Sequence, residues 1–281
     1  VVVTDVDSDI DTAQLSIEIV DDLPTAVTDD TVGVVEDGLL NVSGNVLEND
    51  TANADEPKEF VSWATPTGDD LSTYGTLTFD SVNPGDYSFV LTNDDADTQA
   101  LAAGEVKSAT FSYTMKDADG DTDTASVTIT VTGADDGVTI TGLTVEGSDE
   151  VVYEANLSDG SAPDAGALTQ GGTFSLEALD GIGSVKVGTT TLTYAELANL
   201  DSVNQVVSGG TGAGTLTLTG YTGDEQGGTA TYSYVFQNDQ THTVVDVADS
   251  VFDNFAVVVT DVDSDIDTAQ LSIEIVDDLP T

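Results

Sequence analysis

Hydrophobic and polar residues alternate along several short stretches of the chain. Residues 110–115 read TFSYTM, residues 125–131 read ASVTITV and residues 271–275 read LSIEI. A period of two with one polar face predicts half-buried strands of antiparallel sheet. Gly, Asp and Asn clusters between these runs predict turns, and helical patterns are limited to weak turns near residues 99–103 and 195–200. The pattern therefore predicts an all-β chain built from β-sandwiches.

The two ends of the sequence are identical. Residues 1–25 and 257–281 both read VVVTDVDSDIDTAQLSIEIVDDLPT, 256 residues apart. Such a repeat indicates a tandem array, here one full period preceded by the end of the copy before it. A protein built from near-identical copies relies on length or multivalency more than on a unique active site.

The 256-residue repeat contains two stretches of similar sequence, which divide it into two parts. Residues 111–136 and 255–278 each contain a strand, an Asp-rich turn, a second strand and a pair of aspartates. We interpret each as the last hairpin of one sandwich. This predicts a first β-sandwich over 26–133, a second over 134–281, and residues 1–25 as the closing hairpin of the preceding copy. About seven antiparallel strands would place the termini of a sandwich at opposite poles, so the modules are expected to form an end-to-end rod. The expected partners are neighbouring repeats of the same chain.

The charge of the chain excludes several kinds of partner. There are 53 acidic residues against 4 lysines, a net charge of −49. This excludes nucleic acid and direct contact with an anionic membrane. A hydrophobic fraction of 39% still allows a core, but so much charge requires bound divalent cations or a high-salt medium. Cysteine is absent, VVVTDV does not have the features of a signal peptide, and the apolar stretches are too short to span a bilayer.

Aspartate recurs at every second position in three turns. Four carboxylates within seven residues repel one another strongly, and oxygen ligands on a short turn suit Ca²⁺, which takes roughly 6–8 oxygens. The pattern is not an EF-hand, because Thr122 and Thr128 occupy the positions of its Gly and Glu. The predicted Ca²⁺ ligands are Asp117, Asp119, Asp121 and Asp123; Asp261, Asp263, Asp265 and Asp267; and Asp5, Asp7, Asp9 and Asp11.

Pairs of aspartates follow each of the closing hairpins. Because they lie at module junctions, they are expected to share ions with the Asp-rich turns beside them. Glu36 with Asp37 and Asn49 with Asp50 are weaker candidates. The alternative is that all these acids are solvated turn residues on a halophilic or marine surface, since Asp favours turns by itself. The pairs are Asp21 and Asp22, Asp135 and Asp136, and Asp277 and Asp278.

The sequence predicts no catalytic site. His242 is the sole histidine, and as a base it would need a nucleophile and an orienting carboxylate nearby. With 53 acids, a carboxylate pair carries no information about glycoside hydrolysis. Trp63, Tyr87 and Phe89 are candidates for stacking a sugar but are expected to lie in the core or at the rim of the first sandwich. The protein is therefore expected not to be an enzyme, and Ca²⁺ is its expected cofactor.

Several stretches resemble known repeat families. EDGLLNVSGNVLENDT, YGTLTFDSVNPGDYSFVL and FSYTMKDADGDTDTASVTITVTGADD resemble a VCBS-type, cadherin-like repeat over nearly all of the first sandwich. GGTFSLEALDGIGSVKVG, VFDNFAVVVTDVDSD and IVDDLPTA resemble a repeat domain of giant bacterial adhesins. Together they resemble the extender region of an RTX-type biofilm adhesin of Gram-negative bacteria. Ser264 departs from the pattern, because the family often has Gly at this position.

The resemblance implies Ig-like or cadherin-like β-sandwiches with Ca²⁺ within and between them, and it supports the Asp turns and pairs as ligands. It also implies type I secretion, retention at the outer membrane and an extracellular location on the bacterial cell surface. The leading hypothesis is a non-catalytic, Ca²⁺-rigidified extender that projects a distal adhesive domain, elsewhere in the full protein, for surface attachment and biofilm formation. The alternatives are an adhesin module that binds carbohydrate or another surface, and a halophile surface-layer protein without specific Ca²⁺.

The duplicated segment at residues 1–25 lacks the rest of its sandwich. An isolated hairpin is marginal in water, and the apolar face of Leu15, Ile17 and Ile19 requires a sheet. We predict that this segment is mobile or replaces residues 257–281 of a neighbouring molecule in a domain swap.

Overall fold

The computed structural model describes residues 1–242 and 249–278. They form an all-β protein of two β-sandwiches in tandem, which confirms the predicted fold class. Before the first sandwich lies a hairpin of β1 (Val2–Thr4) and β2 (Ile10–Thr12). The first unit contains β3 (Val32–Val35), β4 (Asn41–Asn45), β5 (Glu59–Trp63), β6 (Thr67–Gly68), β7 (Gly75–Phe79), β8 (Asp86–Leu91), β9 (Val106–Lys116) and β10 (Thr122–Thr132).

The second unit consists of two five-stranded sheets. Its strands are β11 (Val138–Thr141), β12 (Glu150–Tyr153), β13 (Thr169–Ala178), β14 (Ile182–Val187), β15 (Thr190–Thr193), β16 (Gln205–Val206), β17 (Gly214–Gly223), β18 (Gly227–Phe236), β19 (Ser250–Asp261) and β20 (Ile266–Val276). The short helical elements are α1 (Ala96–Gln99) and α2 (Tyr194–Leu197), with 3₁₀ turns at Leu71–Thr73 and Glu154–Asn156. None of the described helices is long and apolar enough to cross a membrane.

Each unit has its own hydrophobic core between two sheets. In the first, the sheet β3-β10-β9-β5, with β6 also on β9, faces the sheet β4-β8-β7. In the second, β11-β13-β18-β17-β16 faces β12-β20-β19-β14-β15. The alternation predicted from sequence is present in β9, where Phe111, Tyr113 and Met115 are buried. The apolar face of each long strand thus lies in the core of its own sandwich.

One pair of strands in each unit departs from the antiparallel expectation. β3 runs parallel to β10, with Val35 opposite Thr132, and β12 runs parallel to β20, with Tyr153 opposite Val276. Alternation reports which face of a strand is buried, but it carries no information about the direction of the neighbouring strand. The parallel pairing places the loop after β3 in the first unit, and the loop after β12 in the second, beside the point where the chain leaves that unit.

The helical turns agree in part with the sequence prediction. α2 begins one residue before the turn predicted near residues 195–200. α1 begins at Ala96, earlier than the turn predicted at residues 99–103, because Asp95 caps it: the Asp95 carboxylate accepts a hydrogen bond from the backbone N–H of Asp97.

The N-terminal segment meets the first unit only near its end. Residues 1–20 are exposed, and within them only β1 and β2 form strands. Thr25 pairs with Thr51 in an isolated bridge, and the Asp22 carboxylate accepts a hydrogen bond from Ala54 N at 3.0 Å. These contacts fix the segment that leads into the first sandwich.

Candidate metal centres

The Asp-rich turns connect the last two strands of each unit and share one local geometry. The first aspartate of each turn points inward: Asp117 is 1% exposed and Asp261 is 3% exposed. Asp117 Oδ1 accepts hydrogen bonds from the backbone N–H groups of Gly120 and Asp121 at 3.0 and 2.9 Å. Asp261 Oδ1 accepts from Asp265 N at 2.7 Å. One oxygen of each inward carboxylate is therefore used to form the turn.

The other oxygens of these carboxylates lack hydrogen-bond partners. In the described part of the chain, the partnerless buried oxygens include Oδ2 of Asp117, Oδ2 of Asp261, Oδ1 of Asp263 and Oδ1 of Asp180. A buried carboxylate oxygen without a donor is costly unless a cation satisfies it. Lys107 and Lys116 do not supply this charge to the turns, because they pair with glutamates at 2.6 and 2.9 Å.

One set of carboxylates, the first acidic group, lies where the chain enters the first unit. Oxygens of Asp21, Asp55 and Asp119 lie within 4.8 Å of one another, and so do oxygens of Asp117, Asp119 and Asp121. The backbone carbonyl of Asp55 accepts a hydrogen bond from Ala118 N at 2.9 Å, which fixes this loop against the turn. The structure thus brings a predicted turn and a predicted linker aspartate together, and it adds Asp55.

A second acidic group lies where the chain passes between the two units. It contains Asp135 of the linker with Asp180 and Asp263 of the second unit, and their oxygens lie within 4.8 Å of one another. Asp136 N donates to Asp180 Oδ2 at 3.3 Å. Asp263 Oδ2 accepts from the backbone N–H of Ala103 in the first unit at 3.3 Å. The group therefore connects the linker, the second unit and the first unit.

Glu36, a weaker candidate from sequence, lies on the first-unit side of this junction. It is 1% exposed and follows β3. Its Oε2 accepts from Ala134 N at 3.0 Å, and its Oε1 accepts from Gln99 Nε2 at 2.6 Å. Repulsion from Asp136 and Asp37 contributes, after burial, to a raised pKa of Glu36. The glutamate thus lies close to the linker aspartates.

The structure places the last aspartate of each ladder outside these groups. Asp123 Oδ2 accepts from Ala26 N at 2.8 Å, and Asp267 Oδ2 accepts from Ile140 N at 2.8 Å. Asp11 is exposed and accepts from the adjacent Thr12 N at 2.9 Å. Asp123 and Asp267 therefore connect the first residues of each unit to its closing hairpin through hydrogen bonds from backbone N–H groups.

The remaining predicted ligands lie at the two ends of the chain. Asp5, Asp7 and Asp9 form an exposed group in the N-terminal hairpin. Asp278 is bound by Ser161, whose backbone N–H donates to it at 2.7 Å. Asp277 lies instead with Glu154 and His242, and their ligand atoms are within 4.8 Å of one another; these three residues are named the histidine group. Among the weaker candidates, Asp50 is buried and accepts hydrogen bonds from the Tyr113 hydroxyl at 3.0 Å.

The pKa values of several carboxyls in and beside these groups are raised, whereas a hydrogen bond with Asp261 lowers the pKa of Asp263. Burial, followed by repulsion from Asp263 and Asp136, raises the pKa of Asp180 to about 7. A hydrogen bond with the Asp117 carboxyl, followed by burial, raises the pKa of Asp119 to about 6. Repulsion from Asp135 raises the pKa of Asp265. The folded protein thus holds these groups where a proton or a metal ion is favoured.

Sequence reasoning missed Asp55, Asp180 and Glu154. None of the three belongs to an Asp ladder or an Asp–Asp pair, and although Glu56 follows Asp55, no spacing marks any of them as a ligand. Asp180 precedes Gly181 at the β13–β14 turn, which is an ordinary turn signal. Only the sheet order brings these loops beside the Asp-rich turns and the linkers.

Comparison with known proteins supports the architecture of the first unit. Residues 21–133 match the family model described as Bacterial cadherin-like domain, so this part of the chain is similar to a cadherin-like module. No curated protein matches the chain. Extracellular cadherin domains 3–6 of Protocadherin Gamma B2 are similar at 13% identity and a TM-score of 0.35, covering 90% of this chain and 47% of that chain.

Two Bacteroides proteins are also among the solved structures that match the chain. SGBP-B of the Bacteroides ovatus mixed-linkage glucan utilization locus, solved with a mixed-linkage heptasaccharide, matches at 11% identity and a TM-score of 0.24, covering 91% of this chain and 48% of that chain. A SusE-like surface located polysaccharide binding protein from Bacteroides thetaiotaomicron matches at 13% identity and a TM-score of 0.21, covering 87% and 32%. The chain covers less than half of each of these structures: 47% of the protocadherin, 48% of SGBP-B and 32% of the SusE-like protein.

Proposed function

We propose that this chain is a non-catalytic spacer of a secreted bacterial surface adhesin, in which bound Ca²⁺ fixes neighbouring β-sandwiches relative to one another. The observation that carries the proposal is the second acidic group. It joins Asp135 of the linker to Asp180 and Asp263 of the second unit, while Asp263 also contacts Ala103 of the first unit. An ion held there would connect the linker, the second unit and, through the Asp263 loop, the first unit.

The spacing of the carboxylates fits Ca²⁺. Ca²⁺–oxygen distances are about 2.3–2.6 Å, so two oxygens on one ion are at most roughly 5 Å apart. The oxygens of both acidic groups lie within 4.8 Å of one another. Asp180 Oδ1 and Asp263 Oδ1 are buried and have no partner in the described part of the chain, which leaves them free for an ion. All of these ligands are oxygens, the type that Ca²⁺ prefers.

Calcium would then control when the protein folds. Extracellular modules bind Ca²⁺ with dissociation constants of about 10⁻⁴–10⁻³ M, and a site at 100 times its dissociation constant adds roughly 2.7 kcal/mol of stability. Where calcium is scarce, repulsion among the grouped carboxylates disfavours folding, which suits export of an unfolded chain by type I secretion. Outside the cell the sites fill, and the modules become a rod that projects a distal adhesive domain for attachment and biofilm formation.

The alternative of a carbohydrate-binding module receives less support from the geometry. Trp63, the sole tryptophan, stacks on Phe79 with ring centroids 4.4 Å apart and meets the edge of Tyr113 at 6.0 Å. Trp63 packs against the core cluster of the first unit. Cadherin-like domains are in general non-enzymatic, and the proposed role needs no reaction. We therefore favour a spacer whose partners are the neighbouring repeats.

Small-angle scattering of the whole chain tests the proposal. With millimolar Ca²⁺, we expect one narrow distribution of shapes, and with chelator at matched ionic strength we expect a broad distribution. Asp263→Asn should broaden the distribution in Ca²⁺. Asp7→Asn, the same residue in the duplicated N-terminal segment, is the matched control and should leave it unchanged, because Asp7 lies in the exposed hairpin.

Two outcomes would contradict the proposal. If NaCl at equal ionic strength narrows the distribution as well as Ca²⁺ does, the acids act only as a halophilic surface. If Asp263→Asn and Asp7→Asn behave alike in Ca²⁺, no ion fixes the junction. Binding on a glycan array would instead support the carbohydrate alternative.

A further inference from the structure

The sole histidine of the chain lies in a buried group beside the end of the second unit. His242 Nε2 is 3.3 Å from Glu154 Oε1, and His242 Nδ1 is 2.8 Å from Asp249 Oδ1. The Asp277 carboxylate completes a set whose ligand atoms lie within 4.8 Å of one another. The imidazole is 6% exposed and the Glu154 carboxylate is 8% exposed. Unlike the two acidic groups, this group contains a nitrogen ligand.

Asp249 determines which nitrogen of His242 is free. A carboxylate can only accept, so at 2.8 Å the imidazole places its N–H on Nδ1 and donates it to Asp249. The neutral ring then has a lone pair on Nε2, directed toward an oxygen of Glu154. Nε2 has no hydrogen-bond partner among the described residues. Two acceptors that face each other at 3.3 Å repel unless a proton or a metal ion lies between them.

The first unit has a different group at the equivalent place. Glu36 and Glu154 each follow the strand that runs parallel to the last strand of their unit. Glu36 Oε1 accepts a hydrogen bond from the Gln99 side-chain amide at 2.6 Å, so it is already satisfied. Glu154 Oε1 accepts a hydrogen bond from the backbone N–H of Gln240, but it also faces His242 Nε2, which has no proton to donate when Nδ1 carries it. Where the first unit has a side-chain amide beside its glutamate, the second unit thus has an imidazole nitrogen.

The third ligand also distinguishes the two units. Val276 and Thr132 are equivalent in the parallel pairings, so Asp277 follows at the position of Gly133. In the first unit a Cβ at Gly133 would lie 2.5 Å from the carbonyl oxygen of Ala102, which leaves no space for a side chain. The second unit accommodates the carboxylate of Asp277 at this position, beside His242.

We propose that Glu154, His242 and Asp277 form a binding site for a divalent transition-metal ion such as Zn²⁺. Zn–N and Zn–O distances of about 2.0–2.2 Å in tetrahedral geometry place neighbouring ligand atoms roughly 3.4 Å apart. The Nε2–Oε1 distance of 3.3 Å matches this value. A carboxylate on the far nitrogen of a metal-bound histidine is a common means of orienting the ring, and Asp249 occupies that place.

The consequence is a metal site of another chemical class from the all-oxygen groups, and it does not depend on the calcium role proposed above. The ion would link the loop after β12 to the segment that follows β20. Three protein ligands leave one position of a tetrahedral ion for water or for a group from outside. Ca²⁺ prefers oxygen, so the nitrogen ligand favours the transition metal over calcium here.

The single histidine allows a direct test in the whole protein. The chain is freed of metal, supplied with millimolar Ca²⁺ to fill the acidic groups, and titrated with Zn²⁺. A long-range proton–nitrogen NMR spectrum contains one imidazole, whose Nε2 signal we expect to shift on Zn²⁺ binding while Nδ1 stays protonated. Calorimetry should show that His242→Gln, which introduces the side-chain amide found in the first unit, lowers the Zn²⁺ affinity at least ~10-fold. Asp249→Asn should lower the Zn²⁺ affinity roughly 10–100-fold.

Matched variants separate this site from carboxylates elsewhere. Asp277→Asn should weaken Zn²⁺ binding, whereas Asp21→Asn, the same residue in the duplicated segment, should not. The thermal response of His242→Gln to Ca²⁺ should equal that of the parent, which shows that the variant folds. The proposal is overturned if the imidazole signal does not respond to Zn²⁺, the result expected if His242 is protonated and forms an ion pair with Glu154. It is also overturned if His242→Gln binds Zn²⁺ as tightly as the parent.

Discussion

The same 25 residues occur twice in this molecule, and they form different amounts of structure. In the N-terminal segment, β1 and β2 pair over three residues each, from Val2 opposite Thr12 to Thr4 opposite Ile10. In the second unit the hairpin is longer: β19 and β20 pair over eleven residues, from Ser250 opposite Val276 to Thr260 opposite Ile266, and β19 begins before the duplicated stretch. The register is the same in both, since Val2 opposite Thr12 corresponds to Val258 opposite Thr268, each 256 positions later.

The turn is the part that both copies share. Ser8 has φ of +75° and Ser264 has φ of +88°. The carboxylates of Asp5 and Asp261 accept hydrogen bonds from Asp9 N and Asp265 N at 2.9 and 2.7 Å. These contacts span four residues and need no neighbour. The turn and the first pairs of the hairpin are therefore a local property of the sequence.

The two copies differ wherever a core is required. Leu15, Ile17 and Ile19 are 74%, 77% and 92% exposed, whereas their counterparts at 271, 273 and 275 are fully buried. In the second unit, β12 and β19 flank β20 and the opposite sheet covers its apolar face. The N-terminal copy has no such sheet among the described residues. An isolated hairpin beyond its turn is marginal in water, which accounts for the difference.

Even the candidate ligand chemistry of one aspartate depends on its surroundings. Asp21 lies with Asp55 and Asp119 in an all-oxygen group. Asp277, the same position in the second copy, lies with Glu154 and His242. The identical side chain thus belongs to two chemically different candidate sites, because different loops approach it.

Hydrogen exchange should show the largest contrast between the copies. Amides of residues 271–275 are expected to exchange only on unfolding of the second unit, and those of residues 15–19 nearly as fast as in an unfolded chain. For a unit stable by about 5 kcal/mol or more, the ratio exceeds ~10³. Strong protection of residues 15–19 in a dilute monomer would contradict this expectation, while protection only in concentrated samples would indicate the domain swap.

The same Leu→Ala substitution should change the free energy of unfolding by amounts that differ by several kcal/mol between the two copies. Leu271→Ala removes a fully buried side chain and should lower the free energy of unfolding of the second unit by roughly 2–5 kcal/mol. Leu15→Ala, its matched control, should change it by less than about 0.5 kcal/mol. Chemical denaturation measures both. Equal effects would mean that the N-terminal segment occupies a core in solution.

The pH dependence of the calcium-free protein should follow the buried aspartates. Burial raises the pKa of Asp261, and burial raises the pKa of Asp180 to about 7 from the ordinary 3.8. The folded state therefore binds these protons more tightly than the unfolded state does. Their contribution to stability is complete below 3.8 and is lost as the pH rises through about 7.

We therefore expect the melting temperature of the second unit without Ca²⁺ to rise as the pH is lowered from 8 to 5, measured by calorimetry. In Ca²⁺ the profile should flatten, because the ion replaces the protons. Asp5, the counterpart of Asp261, has a lowered pKa through its hydrogen bond with Asp7. Asp5→Asn should therefore leave this profile unchanged, whereas Asp261→Asn should weaken the pH response.

The smallest expected effect concerns the strained serine of the turn. Ser264 lies in the left-handed region, where the corresponding Gly120 of the first unit has φ of +106°. Ser264→Gly relieves this strain, partly offset by the greater freedom of glycine in the unfolded chain, and should stabilise the second unit by up to about 1 kcal/mol. Ser8→Gly should leave its melting temperature unchanged. Destabilisation by Ser264→Gly would show that the serine hydroxyl matters more than the backbone strain.

The sequence by itself determined the strands, the turns and the fold class. Strict alternation such as TFSYTM identifies a strand with one buried face, because successive side chains point to opposite sides. The Asp-rich turn forms from neighbours within four residues, and it forms equally in both copies of the duplicated segment. These features depend on short-range geometry, so the pattern of residues was enough.

Only the tertiary structure decided which carboxylates meet. Asp55 and Asp180 carry no sequence signal, and they join the acidic groups because sheet order brings their loops to the linkers. The parallel strands β3 and β12 place Glu36 and Glu154 beside the points where the chain leaves each unit. His242 follows β18 and is distant in sequence from Glu154, which it meets in the folded structure. Contacts between residues distant in sequence depend on strand order and direction, which the alternation of side chains does not record.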